Sequence, residues 1–294
     1  MFKNLKIFIK KIINEKKYSL KKINNDDLNN NQINNQYMDL EKILLRQCIK
    51  NKWEIIDYLA SKNEVIYKSN ECPLCNCKSS NDSFNLIETN CIFGGGKLKR
   101  YQCPECNLIY GPLKMLSMSD VELNQEYEMH YKVYEEGDST DAEIKAFFML
   151  GPMKSGIYLN YGAGNWSKSV NILRNDGWNI YAYEPHISAA KKEPYFISDK
   201  KELSLLKFDG IYTNNVLEHL KDPINDINVM KSLLKVGGKL SHATPCYEYL
   251  YEYTRFHLYF YLGRSKEILS QKTNMKITNY VKQDEFMCMV LENN

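Results

Sequence analysis

The chain has 294 residues, 44% of them hydrophobic and 12% aromatic, enough for one large or two modest folded domains and too apolar for a disordered polymer. Its net charge of +3 is unevenly spread: residues 1–22 hold eight Lys and one Glu, about +7, which leaves the body mildly acidic and poorly suited to extended phosphate contact. No apolar run approaches the roughly 20 residues of a membrane span. The N-terminus lacks the apolar stretch and small-residue cleavage site of a secretory signal, and four of the nine Cys form two CPxC pairs that suit a reducing compartment, so the expected location is cytoplasmic.

In chain order, residues 1–36 read as a basic tail and an Asn-rich linker. In the tail Phe2, Leu5, Phe8, Ile9, Ile12 and Ile13 recur at helical spacing between lysines, the pattern of a basic amphipathic helix; the expectation is either a frayed, solvated tail or a helix resting on an anionic membrane surface at the inner face of the membrane. "INNDDLNNNQINNQ" then reads as a flexible linker. Residues 37–69 read as a helical segment packed through Leu40, Ile43, Leu44, Ile49, Trp53, Ile56 and Leu59, and 70–112 as a cysteine module. Residues 113–150 read as a helical connector with capping boxes at "SDVE" from Ser119 and "TDAE" from Thr140. In 151–294 apolar runs alternate with helical patterns: "IYLNY", "NIYAYE", "FDGIYTNN" and "KLSHATP" are predicted buried strands. The expected fold class is therefore α/β, a parallel sheet with helices on both faces and an antiparallel hairpin, "MKITNYV" and "EFMCMVLE", at its edge.

In the cysteine module, Cys72-Pro-Leu-Cys75 and Cys103-Pro-Glu-Cys106 are separated by 27 residues. Four thiolates on two tight turns match the tetrahedral preference of zinc, and a site closed by four Cys is structural. Asn76 and Asn107 follow each pair and tolerate the left-handed backbone such a turn needs. Cys77 and Cys91 are spare thiols able to replace a ligand.

"LNYGAGNWSKS", residues 159–169, places Gly162 and Gly164 between a strand and a helix, a turn pressed against a small ligand. Glu184, 22 residues after Gly162, ends the second strand, where a carboxylate accepts both hydroxyls of a ribose. The later stretch "FDGIYTNNVLEHLKDPINDINVMKSLLKVGGKL" resembles class I S-adenosylmethionine-dependent methyltransferases: Phe208-Asp209 opens a strand that runs into Val216–His219, then a helix, then Gly237-Gly238. The resemblance covers 157–294 and implies a Rossmann-like seven-stranded methyltransferase sheet, preceded here by a small four-cysteine zinc ribbon and the helical connector. It implies S-adenosylmethionine as cofactor, with Gly162 and Gly164 against it, Glu184 as ribose clamp, Asn214 and Asn215 facing the methionine moiety, and Asp199 near the adenine. Two residues depart from the family pattern. Asn160 stands where an acid is common and keeps a hydrogen-bonding oxygen without the charge, and Trp166 replaces the last glycine of the turn.

Methyl transfer to a hydroxyl needs a base, and His is the usual one near neutral pH. His219, with Glu218 beside it, follows the fourth strand at the ligand edge of the sheet; His257, in "TRFHLYFYLGRS", lies where related enzymes build the acceptor pocket. His130 with Tyr127 and Tyr134 forms a stripe on the connector, read as a lid that contacts substrate. A tyrosine-rich run from Pro245 to Tyr261 either packs as core and interface or suits the faces and edges of a sugar. A zinc ribbon, then "YxxHYxVYxEGDST", then this domain resembles bacterial methyltransferases of surface-polysaccharide and nucleotide-sugar pathways, which implies O-methylation of a small-molecule or glycan acceptor. The alternatives are a ribosomal-RNA methyltransferase, disfavoured by the acidic body, and a non-catalytic scaffold, motivated by Asn160 and Trp166.

Overall fold

The computed structural model describes residues 27–62, 71–78, 84–94, 96–134, 137–164, 168–185, 193–250 and 254–293. The amphipathic tail and Trp166 lie outside them. The first helix, α1 (Asp27–Lys62), begins inside the segment expected to be a linker and runs unbroken through the expected helical segment. It packs by one narrow face: Ile49 and Trp53 are buried and Ile56 is half-buried, whereas Leu40, Ile43, Leu44 and Leu59, expected in the same core, are exposed.

The cysteine module contributes β1 (Asn85–Asn90), β2 (Lys97–Gln102) and β3 (Leu108–Tyr110), an antiparallel meander. The connector continues as α2 (Leu113–Ser117), α3 (Asp120–Tyr131) and α4 (Thr140–Met149). The Ser119 capping box forms in full: its hydroxyl takes the Glu122 amide, and the Glu122 carboxylate takes the Ser119 amide at 2.8 Å. The second expected box does not form. The cap of α4 is Ser139, with no side-chain bond to the helix backbone, and Glu143 turns its carboxylate inward instead.

The second half alternates as expected: β4 (Ile157–Tyr161), α5 (Lys168–Asn175), β5 (Asn179–Tyr183), β6 (Phe196–Ile197), α6 (Lys200–Ser204), β7 (Phe208–Asn214), a 3-10 turn (Leu217–His219), α7 (Pro223–Leu233) and β8 (Leu234–Ala243). After β8 come β9 (Tyr259–Tyr261), α8 (Ser265–Thr273), β10 (Lys276–Gln283) and β11 (Phe286–Glu292). The seven-stranded sheet has the order β10-β11-β8-β7-β4-β5-β6, parallel except for β11, which runs antiparallel to both β8 and β10. The hairpin enters with its later strand inward. β11, "FMCMVLE", has five consecutive buried residues and belongs between two neighbours, while β10 has only exposed and half-buried positions and suits an edge.

Strand β9 leaves this sheet altogether. It pairs antiparallel with β3, Leu108 opposite Tyr261 and Tyr110 opposite Tyr259, and completes a four-stranded sheet β1-β2-β3-β9. The cysteine module is thus built partly from the C-terminal half of the chain. Most of the aromatic run expected at a sugar face goes into this junction: Tyr247, Phe256, Tyr259, Phe260 and Tyr261 are all buried.

Candidate active site

The strand order reverses direction between β4 and β7, and in open α/β sheets ligands bind beyond the carboxyl ends of the strands at such a point. The glycine turn leaves β4 there. Gly162 has φ 78° and Gly164 φ 64°, both in the left-handed region. The Gly162 and Ala163 amides donate to the Tyr183 carbonyl, and the Gly164 amide donates to Glu184 Oε2 at 3.1 Å, so the carboxylate at the end of β5 lies against the turn. A Cβ on Gly162 would sit 2.7 Å from Val216 Cγ2, whereas one on Gly164 would have no described atom within 4 Å. The first glycine is demanded by packing and the second leaves space. Since the backbone strain is shared, Gly162→Ala is expected to lower the thermal midpoint by several degrees more than Gly164→Ala, a clash costing about 1–3 kcal/mol. Equal midpoints in thermal melts would show that Val216 does not constrain the turn.

Asn160 is buried at the end of β4, and its Nδ2 donates to Glu143 Oε2 at 2.9 Å. The amide expected to face a ligand is therefore held from behind by α4. Asp199, expected near an adenine, caps α6 by accepting from the Lys201 and Glu202 amides. Asn214 and Asn215 end β7, Asn215 with φ 52°, at the same edge as the glycine turn.

The next turn carries the titratable cluster. His219 Nδ1 lies 2.8 Å from the Tyr127 hydroxyl and 3.1 Å from the Phe256 carbonyl. A carbonyl only accepts, so the proton sits on Nδ1 and Nε2 keeps the lone pair. Burial first, and the charge of His257 second, push the His219 pKa down to about 4 against the pull of Glu218, so the imidazole is neutral at physiological pH. The His257 ring is 4.8 Å away. Glu218 is fully buried: Thr244 donates to its Oε1, and His242 Nε2 lies 3.5 Å from its Oε2. Burial raises its carboxyl, but His242 and the imidazoles around it pull it further down, to about 2. A carboxylate so enclosed acts through its neighbours, not on a substrate.

The lid stripe divides. Tyr127 reaches His219; His130 is buried with Nδ1 on the Glu126 carbonyl, and the Tyr134 hydroxyl donates to the Phe93 carbonyl. The last two face the packing between α3 and the cysteine module. Beyond the reach of sequence reasoning lies Arg100 of β2, which is fully buried and donates to the Thr254 carbonyl at 2.5 Å and the His257 carbonyl at 3.2 Å. The Tyr261 and Tyr259 hydroxyls of β9 donate to the Leu217 and Lys221 carbonyls on either side of His219. The cysteine module's sheet therefore holds the segment that carries the cluster.

At the far end of that module, Cys72, Cys75, Cys103 and Cys106 gather their sulfurs within 4.8 Å of one another. The closest pairs are Cys75–Cys103 at 3.5 Å and Cys72–Cys106 at 3.7 Å, near the about 3.8 Å edge of a tetrahedron of thiolates around zinc. Asn76 and Asn107 have φ 60° and 63°, the left-handed turn expected of them. Cys77 and Cys91 are outside the group.

Residues 142–282 match a family model described as "Methyltransferase domain". This part of the chain has the methyltransferase fold. Its fold is that of class I S-adenosylmethionine-dependent enzymes. No curated protein matches the sequence. Among solved structures the chain is similar to the 1,6-didemethyltoxoflavin-N1-methyltransferase of Burkholderia thailandensis with bound S-adenosylhomocysteine, at 13% identity and TM-score 0.45 over 74% of this chain and 98% of that one. It is also similar to the magnesium protoporphyrin IX methyltransferase of Synechocystis PCC 6803 with bound SAM, at 15% identity and TM-score 0.36 over 61% and 86%. A third is the complex of the Haloferax volcanii Trm112 methyltransferase activator with a methyltransferase, at 12% and 0.41 over 59% and 94%. In this fold the glycine turn, Glu184 and the Asn214-Asn215 pair stand at the carboxyl edge of the sheet, and His219 stands one turn further on.

Proposed function

We propose that the domain transfers a methyl group from S-adenosylmethionine to an oxygen of a sugar-linked small-molecule or glycan acceptor, in surface-polysaccharide or nucleotide-sugar biosynthesis. Gly162, Gly164 and Glu184 would hold the nucleoside, with Asn214 and Asn215 toward the methionine end. The cofactor supplies an activated methyl group, so the chain's own task is alignment, worth about 7–11 kcal/mol when donor and acceptor are well oriented. His219 Nε2 is the base for the acceptor hydroxyl, Tyr127 and Phe256 hold its ring, and Glu218 and His257 set the field around it. The observation that carries this reading is the contact of His219 Nδ1 with the Phe256 carbonyl, one turn beyond the strand end that faces the glycine turn.

The four-cysteine cluster is proposed to hold a structural zinc ion, all four positions being filled by thiolates. Peripheral contact with the inner face of the membrane through the basic tail, in an otherwise cytoplasmic protein, is a proposal that rests on sequence alone; among the described residues no helix is long and apolar enough to cross a membrane. RNA as acceptor is disfavoured by the mildly acidic balance of the chain beyond residue 22.

The test is calorimetry with S-adenosylmethionine, followed by mass spectrometry of sugar nucleotides and surface glycans incubated with the protein and cofactor. Saturable heat and a glycan gaining one methylene's mass are expected. Saturable heat with methylated RNA and unmodified glycans would replace the acceptor, and no heat at millimolar cofactor would remove the reading.

A further inference from the structure

The strand that leads into the glycine turn carries Asn160 at its next-to-last position, where the resemblance to class I methyltransferases implies an acid, and a carboxylate stands beside that position. Glu143 of α4 accepts Asn160 Nδ2 and Ser169 Oγ on Oε2, at 2.9 and 2.5 Å, and Ser139 Oγ on Oε1 at 2.6 Å. Each partner is a donor, so the carboxylate needs no proton of its own. The chain around it is clasped onto the same corner: Asp138 pairs with Lys168 at 2.7 Å at the start of α5, and Thr140 bonds back to Asp138. The segment 138–143 thus ties α4 to the end of β4 and to the helix after the turn. A hydroxyl-and-amide clasp of this kind works as well around a Gln; the chain instead places an acid there.

We propose that Glu143 is the cofactor-positioning acid of this domain, its fixed negative charge standing in for the one Asn160 lacks and favouring the cationic methionine end of S-adenosylmethionine. The proposal rests on the cofactor reading above. Asn160 is then the spacer that carries a helix-borne charge to the strand end. The residue acts by charge at a distance of one side chain and takes no part in the transfer itself.

The experiment is calorimetry on the full chain with two ligands: S-adenosylmethionine, and 5′-methylthioadenosine, which keeps the nucleoside and lacks the charged methionine end. Glu143→Gln is expected to weaken S-adenosylmethionine about tenfold or more while changing 5′-methylthioadenosine less than about twofold, the size of effect a single partly screened charge produces. Moving the charge back to the strand, in the double variant E143Q/N160D, is expected to restore S-adenosylmethionine to within about threefold of wild type, since the amide introduced on α4 donates to the carboxylate introduced on β4 and both hydroxyls reorient. Equal weakening of the two ligands, or an indifferent Glu143→Gln, overturns the assignment to Glu143 and leaves the cofactor reading intact. Absence of heat with the wild-type chain overturns the cofactor reading and this one with it. Should Glu143→Gln fail to fold by circular dichroism, the folded double variant decides, and weak S-adenosylmethionine binding by it overturns the proposal.

Discussion

Stripping the four-cysteine cluster with a strong chelator, or replacing Cys103 with Ser, is expected to unfold the cysteine module and abolish methyl transfer together. Cys72, Cys103 and Cys106 are fully buried, and the module's sheet is small, so zinc binding on the order of 10 kcal/mol becomes most of its folding energy. The loss does not stay local. β9 belongs to that sheet and ties Leu217 and Lys221 through two tyrosine hydroxyls, and Arg100 of β2 ties Thr254 and His257, so His219 loses its frame when the sheet melts. Elemental analysis should find one zinc per chain, and hydrogen exchange after chelation should expose β1, β2, β3 and β9 together with 254–261 while β4, β5 and β7 remain protected. A metal-free chain with an unchanged melting profile and full activity would refute both the metal and the coupling.

His219→Ala is expected to reduce turnover by about 10² or more and leave S-adenosylmethionine affinity nearly unchanged, because a general base acts on the acceptor proton. With the His219 pKa at about 4, wild-type turnover should hold from neutral pH downward and fall only as that value is approached. Stability moves in the same direction. The unfolded imidazole takes up its proton near pH 6.5 and the folded one only near 4, so this residue's contribution is full above 6.5 and is lost as pH drops through that window. Thermal midpoints of His219→Ala should therefore depend less on pH between 6.5 and 4 than those of wild type. Tyr127→Phe, which removes the hydroxyl at 2.8 Å while Phe256 still fixes the tautomer, should cost less turnover than His219→Ala. Unchanged turnover in His219→Ala would take the residue out of the chemistry.

Several residues were legible only as local signals. Glu143 reads in sequence as the last residue of a capping box, because Thr-x-x-Glu is a frequent helix opening. Its partners Asn160 and Ser169 lie 17 and 26 positions away, and no local pattern marks them. β9 has three residues and no turn to its partner β3, so nothing nearby in the chain announces the pairing. The aromatic run around it looks like a sugar platform by composition; its burial comes from that pairing, which turns both faces of the strand inward.

Features carried by short-range chemistry could be read from residue order alone: two cysteine knuckles with left-handed Asn turns, the alternation that makes a parallel sheet, the glycines that let β4 turn, and Glu184 at the end of β5. Meetings between distant side chains could not. The folded chain handed Asn160 to Glu143, set Tyr127 and Phe256 on His219, and took the fourth strand of the cysteine module from between β8 and β10 of the large sheet. The reason is physical: turns and periodicities are fixed by backbone sterics over a few residues, whereas contacts between distant segments are selected by burial and hydrogen-bond satisfaction of the whole fold.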